Sequence, residues 1–363
     1  MDNLRGPFFP EIIQDLQLSA TAASSFYAAT ALSGFIGSFT SHRLLKGRDV
    51  LAVLTVMSVI FSVGFAGVSQ SYHYSTLIFF CVVFGFAYGF LNVLQNLLVS
   101  EASSPLKRRR LLNGLQGMYG IAAFLAPATA SLMRELGFSW RASFLVVATL
   151  AMAVPLMSWL KRGIHLHAHE TAPAEKLRGR EWGMVGFLAV ILCVYMWGEL
   201  SASTRLVLWL RTEKGFDPQS ADFQLGLFFL GMLTGRLTFS FLSFENFNNR
   251  TILMMSALAS SAMYLAGLHG WPWLISLSGL AFAPFFPVMM DEISTTFKRK
   301  SSQALGLIIG FGNMSIMAMH LTVGVLTDTF GLTAALHCGP AAMAIVFVLL
   351  WALKYYRLDA SLT

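Results

Sequence analysis

Long apolar stretches separated by short polar intervals follow one another along almost the whole chain. Ten of them are close to or longer than the roughly 20 residues with which a helix crosses a bilayer. They cover residues 17–41, 50–70, 74–100, 111–133, 142–160, 182–198, 251–268, 270–290, 301–319 and 329–352. An eleventh, 223–242, qualifies if Arg236 lies at its end. This pattern predicts an all-α polytopic membrane protein with about 11 complete transmembrane helices.

The composition agrees with this prediction. The chain of 363 residues is 56% hydrophobic and 12% charged, whereas soluble domains are about 25% charged. A secretory leader would supply one short apolar region rather than a series along the chain. Cys81, Cys193 and Cys338 lie inside separate apolar stretches, which does not suit a disulfide framework or a metal cluster. We therefore expect no cofactor and no metal site.

Lys and Arg are concentrated in alternate intervals between the apolar stretches. The richer set comprises Arg43, Lys46, Arg48, Lys107, Arg108, Arg109, Arg110, Lys161, Arg162, Lys176, Arg178, Arg180, Arg236, Arg250, Lys298, Arg299, Lys300, Lys354 and Arg357. The poorer set comprises Arg5, Arg134, Arg141, Arg205, Arg211 and Lys214. Because positive loops stay in the cytoplasm, the richer side and the C-terminus are predicted to be cytoplasmic, in a cell membrane. The net charge of +7 then reflects topology, and no nucleic-acid partner is expected.

A polar interval divides the chain into two comparable parts. We expect an N-terminal bundle at 1–160, a cytoplasmic central loop at 161–181 and a C-terminal six-helix bundle at 182–363. At an offset of 194 residues the helices, the loop sides and the basic loops of the two parts agree, as in an internal repeat. The same offset matches three glycine pairs, namely Gly37 with Gly231, Gly85 with Gly279, and Gly137 with Gly331.

The opening stretch MDNLRGPFFPEIIQDLQLS does not match the start of the span at 182–198. At the 194-residue offset that span would begin before Met1. We therefore expect a truncated first helix, with residues 1–16 forming its outer end and the first outer loop.

Several motifs resemble the major facilitator superfamily over essentially the whole chain. The stretches GSFTSHRLLKGRD and GMLTGRL are similar to the two copies of its loop motif, although Ser41 replaces the acidic residue of the first copy. FGFAYGFLNVLQNLLVSE, SGLAFAPFFPVMMDEISTTF and GFGNMSIMAMHLTVGVLTDTFG look like its fourth, tenth and eleventh helices. The resemblance implies two pseudo-symmetric six-helix bundles and secondary transport by alternating access.

Within that family the sequence most resembles porters of sugars and small organic solutes. In the fucose–proton symport branch, acidic groups on the first and fourth helices take part in coupling. Gly6 and Asn92 stand at those places here, so the resemblance does not carry that route of proton coupling to this chain. H+ or Na+ remains the candidate coupling ion. The drug-antiporter signature of the fifth helix is incomplete in GMYGIAAFLAPATAS.

Polar groups inside apolar spans are the candidates for binding a solute, because they are costly unless paired or facing water. Asn92, Gln95 and Asn96 share one helix face, and amides suit hydroxyl-rich solutes because they donate and accept. The equal alternative is that they join helices. Gln116 and Tyr119 are expected to face the same cavity, although packing is the favoured explanation there.

Further candidates lie in the second half of the chain. Asn313 and His320 are seven residues apart on one helix face, with a hydrogen-bonded packing histidine favoured over a proton-sensitive one. Trp197 has a ring that can stack on a sugar, or anchor its helix. Pro284 and Pro287 interrupt the tenth helix, either as a moving gate or as a static kink.

One pair of charges suggests a gate. Glu199 follows seventeen uncharged residues, which places it about 25 Å along its helix at 1.5 Å per residue, in the predicted outer third. Under the 194-residue offset it corresponds to Arg5. We expect Arg5 and Glu199 to pair as an outer gate, and the alternative is that both face outer water.

The principal prediction is a monomeric secondary transporter of a small organic solute in the lipid bilayer. Efflux of drugs or metabolites and a transport-impaired relic are the alternatives. An enzyme is not expected, because Asp291 and Glu292 have no second acidic cluster. The alternating His165, His167 and His169 suggest metal binding, but a solvated linker explains them better.

Overall fold

The computed structural model describes residues 2–45, 48–102, 105–160, 177, 179–241 and 248–353. Within these ranges the regular structure is α-helix with two short 3-10 turns, and no strand occurs. The chain divides into two compact units, residues 1–170 and 171–363. The boundary falls in the predicted central loop, most of which lies outside the described residues.

The first unit opens with the 3-10 turn Asp2–Leu4 and continues with seven helices. They are α1 (Phe9–Asp15), α2 (Ala20–Leu45), α3 (Val50–Ser69), α4 (Tyr74–Ala102), α5 (Pro105–Glu135), α6 (Trp140–Ala151) and α7 (Ala153–Leu160). Side-chain caps begin several of them: Asp49 accepts from the Leu51 N–H, and Ser139 from the Ala142 N–H, as expected for N-cap residues.

The second unit contains eight helices and the 3-10 turn Lys298–Lys300. The helices are α8 (Arg180–Thr212), α9 (Pro218–Phe241), α10 (Asn249–His269), α11 (Trp273–Phe282), α12 (Phe285–Phe297), α13 (Ser301–Phe330), α14 (Leu332–Leu336) and α15 (Cys338–Leu353). Asn248 caps α10 by accepting from the Thr251 N–H.

Eight segments of the described chain are long and apolar enough to cross a membrane. They are Val50–Ser69, Tyr74–Val99, Trp140–Leu160, Arg180–Thr212, Asn249–His269, Trp273–Phe297, Gln303–Phe330 and Leu332–Leu353. The helices α2, α5 and α9 occupy the remaining predicted spans but fall outside this set. Large apolar side chains such as Phe39 and Leu150 are about two-thirds exposed, as expected of surfaces that contact lipid. The chain is therefore a multi-pass membrane protein.

Glycines bring two helix pairs into close contact, one pair in each unit. A Cβ on Gly37 of α2 would lie 2.0 Å from the Phe86 carbonyl oxygen of α4. In the second unit, a Cβ on Gly231 of α9 would lie 2.9 Å from the Leu280 backbone nitrogen of α11. Gly231 and Leu280 lie 194 residues after Gly37 and Phe86, so the two contacts are related by the predicted offset. The internal repeat therefore extends to the packing of the backbones, which approach closely only where a side chain is absent.

Prolines account for two of the interruptions within the spans. The helix pair α6–α7 breaks at Met152, three residues before Pro155, and α11 ends at Phe282 just before Pro284. A proline has no N–H and its ring clashes with the preceding turn, so the helix bends there. Pro284 is buried and Pro287 is exposed. The predicted interruption of this helix is thus present.

The helix that carries Glu199 is longer than the predicted span 182–198. α8 extends to Thr212, so Glu199 lies near its middle and not in the outer third as predicted. Arg205, assigned to an outer loop from its charge, is 2% exposed within the same helix. The prediction was wrong because it took the first charge as the end of the span, whereas both charged residues have partners inside the unit.

Candidate functional site

A patch of amides and tyrosines lies on α4 and α5 of the first unit. Gln95 donates through Nε2 to Asn92 Oδ1 at 3.1 Å, and Asn96 donates through Nδ2 to the Asn92 carbonyl at 2.6 Å. Tyr88, one turn earlier, lies beside Asn92 and near Tyr119 of α5. We call these five residues the amide patch.

The amide patch is open although its host helix is strongly apolar. Asn92 and Gln95 are exposed, Asn96 is half-buried, and Tyr119 is 46% exposed. Exposed amides within a membrane span are unfavourable against lipid and stable against water or a polar solute. The structure brings together four predicted residues here and adds Tyr88. The side chain of the fifth predicted residue, Gln116, lies outside the described residues.

A buried arginine occupies the start of the first unit. Arg5 is 5% exposed, donates through Nη1 to Thr30 Oγ1 at 2.9 Å, and pairs with Asp2. Its guanidinium lies 5.0 Å from the ring of Phe26 and 4.8 Å from the ring of Tyr27. Cation–π contacts of this kind are stronger when desolvated, which helps to hold the charge inside the unit.

The arginine lies within electrostatic range of the amide patch. Tyr88 of the amide patch interacts electrostatically with both Asp2 and Arg5. A charged group and several neutral donors and acceptors within electrostatic range of one another can bind a polar solute at more than one point.

Two further arginines hold α1 against the rest of the first unit. Arg134 of α5 forms an ion pair with Glu11 at 2.9 Å and donates to the Pro7 carbonyl at 2.7 Å. Arg141 of α6 pairs with Asp15 at 2.8 Å. These contacts fix the position of the segment that carries Arg5.

Glu199 lies in a corresponding cluster of the second unit. It accepts a hydrogen bond from Tyr195, one turn earlier on α8. The Tyr195 ring stacks on Phe285 at a centroid distance of 4.0 Å, and its hydroxyl also interacts with Arg236 of α9. An acid, a phenol and a guanidinium therefore meet between α8, α9 and α12.

Polar contacts also join α8 to α13. Trp197 donates through Nε1 to Ser315 Oγ at 2.8 Å, which uses the polar end of the indole and holds the ring against α13. Arg205 Nη2 lies 3.5 Å from His320 Nδ1, and His320 is 3% exposed. Asn313 is half-buried on the same helix as His320. The Trp197 indole and His320 thus have partners within the unit.

Arg205, Tyr88 and Thr30 are the site residues that the sequence did not point to. Arg205 was hidden by its apparent position in an outer loop. The sequence after Arg205 did indicate that the helix continues, because residues 206–210 are all apolar. Tyr88 carried no signal of its own, because tyrosine is common both in cores and at membrane interfaces.

Among the described residues, no group of three or more His, Cys, Asp or Glu is placed to hold a metal ion. The predicted histidine series His165, His167 and His169 lies outside the described residues.

Outside the spans, the N-cap Asp217 of α9 accepts from the Ser220 N–H at 3.0 Å, and hydrogen bonds from Ser220 lower the pKa of its carboxyl.

A family model described as Major Facilitator Superfamily matches residues 2–210 of the chain. Protein TsgA of Salmonella schwarzengrund (strain CVM19633) is 22% identical over 321 residues, which cover 86% of this chain and 78% of TsgA. Among solved structures, the nucleoside transporter NupG aligns with a TM-score of 0.73 at 12% identity, covering 98% of this chain and 95% of that chain. A D-xylose-proton symporter aligns with a TM-score of 0.71 at 14% identity, covering 96% and 95%. At these identities the structural likeness shows a shared fold.

Proposed function

Because the chain belongs to the Major Facilitator Superfamily, we propose that it is a secondary active transporter. It moves a small, sugar-like organic solute or metabolite across the membrane by alternating access of its two units. The eight apolar segments fit this function, and we propose that α2, α5 and α9 also cross the membrane.

The observation that carries the proposal is the open amide patch in an apolar helix. Its three amides and two phenols donate and accept hydrogen bonds without carrying charge. Such a surface matches a solute with several hydroxyl groups better than it matches an inorganic ion. A ring with hydroxyls is also the chemistry named for two solved structures of the same fold, a nucleoside transporter and a xylose symporter.

The charged cluster on α8 is the proposed site of coupling to an ion. We propose that Glu199 is the coupling group, because a carboxylate near the middle of a span can hold a proton or Na+. Its hydrogen bond with Tyr195 orients the carboxyl. The positive loops give the proposed orientation, with both the central loop and the C-terminus in the cytoplasm.

The proposal is tested first by binding. Purified protein in detergent is screened against pentoses, hexoses, nucleosides and an inorganic-anion control by thermal shift. A hit is then measured for uptake into proteoliposomes with an imposed proton or sodium gradient. We expect a hydroxylated ring solute to raise the melting temperature and to be transported only with a gradient.

Variants of the amide patch connect the activity to the site. Asn92→Ala and Gln95→Ala each remove a donor and an acceptor, and we expect solute affinity to fall about tenfold, as for the loss of one or two hydrogen bonds. Gln70→Ala, which lies beyond the end of α3, is the matched control and is expected to retain affinity. Unchanged affinity in both patch variants would place the solute elsewhere, and export instead of uptake would favour the efflux alternative.

A further inference from the structure

Two histidines face each other at one end of the second unit, away from the residues assigned to transport. His269 is the last residue of α10, and His337 lies at the junction of α14 and α15. Their Nε2 atoms are 2.9 Å apart, and their ring centroids are 4.9 Å apart at an interplanar angle of 59°. His269 is exposed and His337 half-buried, so solvent reaches the pair.

The backbone around His337 determines where its proton lies. His337 Nδ1 is 2.9 Å from the Thr333 carbonyl oxygen. Because a carbonyl oxygen only accepts, Nδ1 carries the hydrogen and the Nε2 lone pair points toward His269. In metal sites, the ring nitrogen of a histidine that does not bind the metal often donates to a backbone carbonyl, and this hydrogen bond orients the ring.

The distance between the two nitrogens fits two neighbouring ligands of one metal ion. With metal–nitrogen bonds of about 2.0 Å, ligands at a right angle are about 2.8 Å apart, whereas tetrahedral ligands are about 3.3 Å apart. Square-planar or tetragonal nitrogen sites are typical of Cu²⁺ and Ni²⁺, and Cu²⁺ binds more tightly. We propose that His269 and His337 form a two-histidine site for a divalent transition-metal ion, with Cu²⁺ preferred and water completing the coordination.

The location gives the site a structural consequence. The ion pairs Arg250–Glu292 and Lys300–Glu181 lie at the opposite end of the unit, where α10 begins and α13 starts. A bound ion would therefore join the far end of α10 to the start of α15, two helices that pack along their length. In the proposed orientation this end faces the outside of the cell, where the ion is free to enter from solvent.

The test uses the full chain, purified with a tag free of histidine. His165, His167 and His169 are replaced by Ala in the background so that the central loop binds no metal. Cu²⁺ is titrated while binding is followed by calorimetry and the nitrogen ligands by electron paramagnetic resonance. His269→Gln and His337→Gln are compared with His73→Gln, an exposed histidine of the first unit.

We expect one Cu²⁺ per chain with two nitrogen ligands, and weaker binding of Ni²⁺ and Zn²⁺. Each Gln change at the pair should remove one nitrogen from the spectrum and lower affinity at least tenfold. His73→Gln should leave both measurements unchanged. Affinity that is unchanged in His269→Gln or His337→Gln would overturn the site and leave the pair as a hydrogen bond between two imidazoles.

A second measurement covers the case in which a Gln variant does not fold. The background protein is treated with diethylpyrocarbonate with and without Cu²⁺, and the modified peptides are quantified by mass spectrometry. Cu²⁺ should protect His269 and His337 together and leave His73 reactive. Equal modification of all three histidines with and without metal would contradict the proposal. Neither measurement depends on transport.

Discussion

The first helical segments of the two units have opposite charges at equivalent positions. At the 194-residue offset, Arg5 corresponds to Glu199 and Glu11 corresponds to Arg205. Each charge has a partner within its own unit. Arg5 pairs with Asp2 and Glu199 with Tyr195 on the same segment, while Glu11 contacts Arg134 of α5. Arg205 contacts His320 of α13, the helix equivalent to α5.

The two units thus repeat their backbone packing and not their polar chemistry. The glycine contacts of α2 with α4 and of α9 with α11 are preserved, since a Cβ at Gly85 or Gly279 would meet neighbouring atoms at 2.2 or 2.0 Å. The charges at equivalent positions can differ in sign between the units, because a buried charge needs a partner of opposite charge or one that forms a hydrogen bond with it. That partner can lie on any neighbouring segment. A repeat in sequence is therefore a guide to helix packing rather than to residue function.

The glycine contacts are expected to give the largest effect. Gly37→Val and Gly279→Val would each place a side chain about 2.0 Å from a backbone carbonyl oxygen, and overpacking costs at least about 1–3 kcal/mol. Both variants should lose melting temperature and monodisperse yield to a similar extent in detergent. Gly117→Val and Gly226→Val, which have open space, are the matched controls. Losses no larger than those of the controls would contradict the close contacts.

The reversed charges at Arg5 and Glu199 give the next effect. If the two positions act together as a gate, as the repeat predicts, Arg5→Glu and Glu199→Arg should each abolish uptake of the transported solute. The double exchange should restore part of that uptake in proteoliposomes. A swap that rescues neither single variant would mean that the local partners, Asp2 and Tyr195, determine the role of each residue.

The contacts of Arg134 and Arg205 should differ in strength between the units. The Arg134 and Glu11 side chains are 18% and 24% exposed, whereas Arg205 is 2% exposed. Arg134→Gln should therefore cost about 1–2 kcal/mol, and Arg205→Gln more, because it leaves deeply buried groups without their donor. Thermal unfolding of both variants measures this order. A double exchange of Glu11 and Arg134 should recover part of the first loss, and an equal cost in both units would contradict the burial argument.

The smallest effect is expected at two N-caps. Ser19 caps α2 by accepting from the Ala22 N–H, whereas Asp217 caps α9. Hydrogen bonds from Ser220 lower the pKa of Asp217, so its stabilising effect is present above the usual carboxyl pKa and is lost as pH falls through the lowered value. Asp217→Ser should reduce the loss of melting temperature between pH 6 and pH 3. Ser19→Asp should increase it, and no change in either variant would contradict the capping role.

Part of the site could be predicted from the sequence. Asn92, Gln95 and Asn96 stood out because uncharged polar residues at helical spacing in an apolar span are rare and costly. Arg205 was misplaced because a charge next to an apolar span resembles the end of that span. Inside the unit it contacts His320, 115 residues later, and no local pattern reports such a partner.

The sequence by itself determined the multi-pass helical architecture, the internal repeat and the glycine positions of its helix pairs. The architecture rests on composition within single spans, where the bilayer imposes one length and one hydropathy. The repeat and its glycine pairs rest on one constant offset between the two halves, which can be read without knowing any contact. Only the tertiary structure decided that α8 continues past Glu199, that Arg5 is enclosed by aromatic rings, and that His269 meets His337. These features join residues far apart in the chain, and their stability comes from partners that the local sequence does not contain.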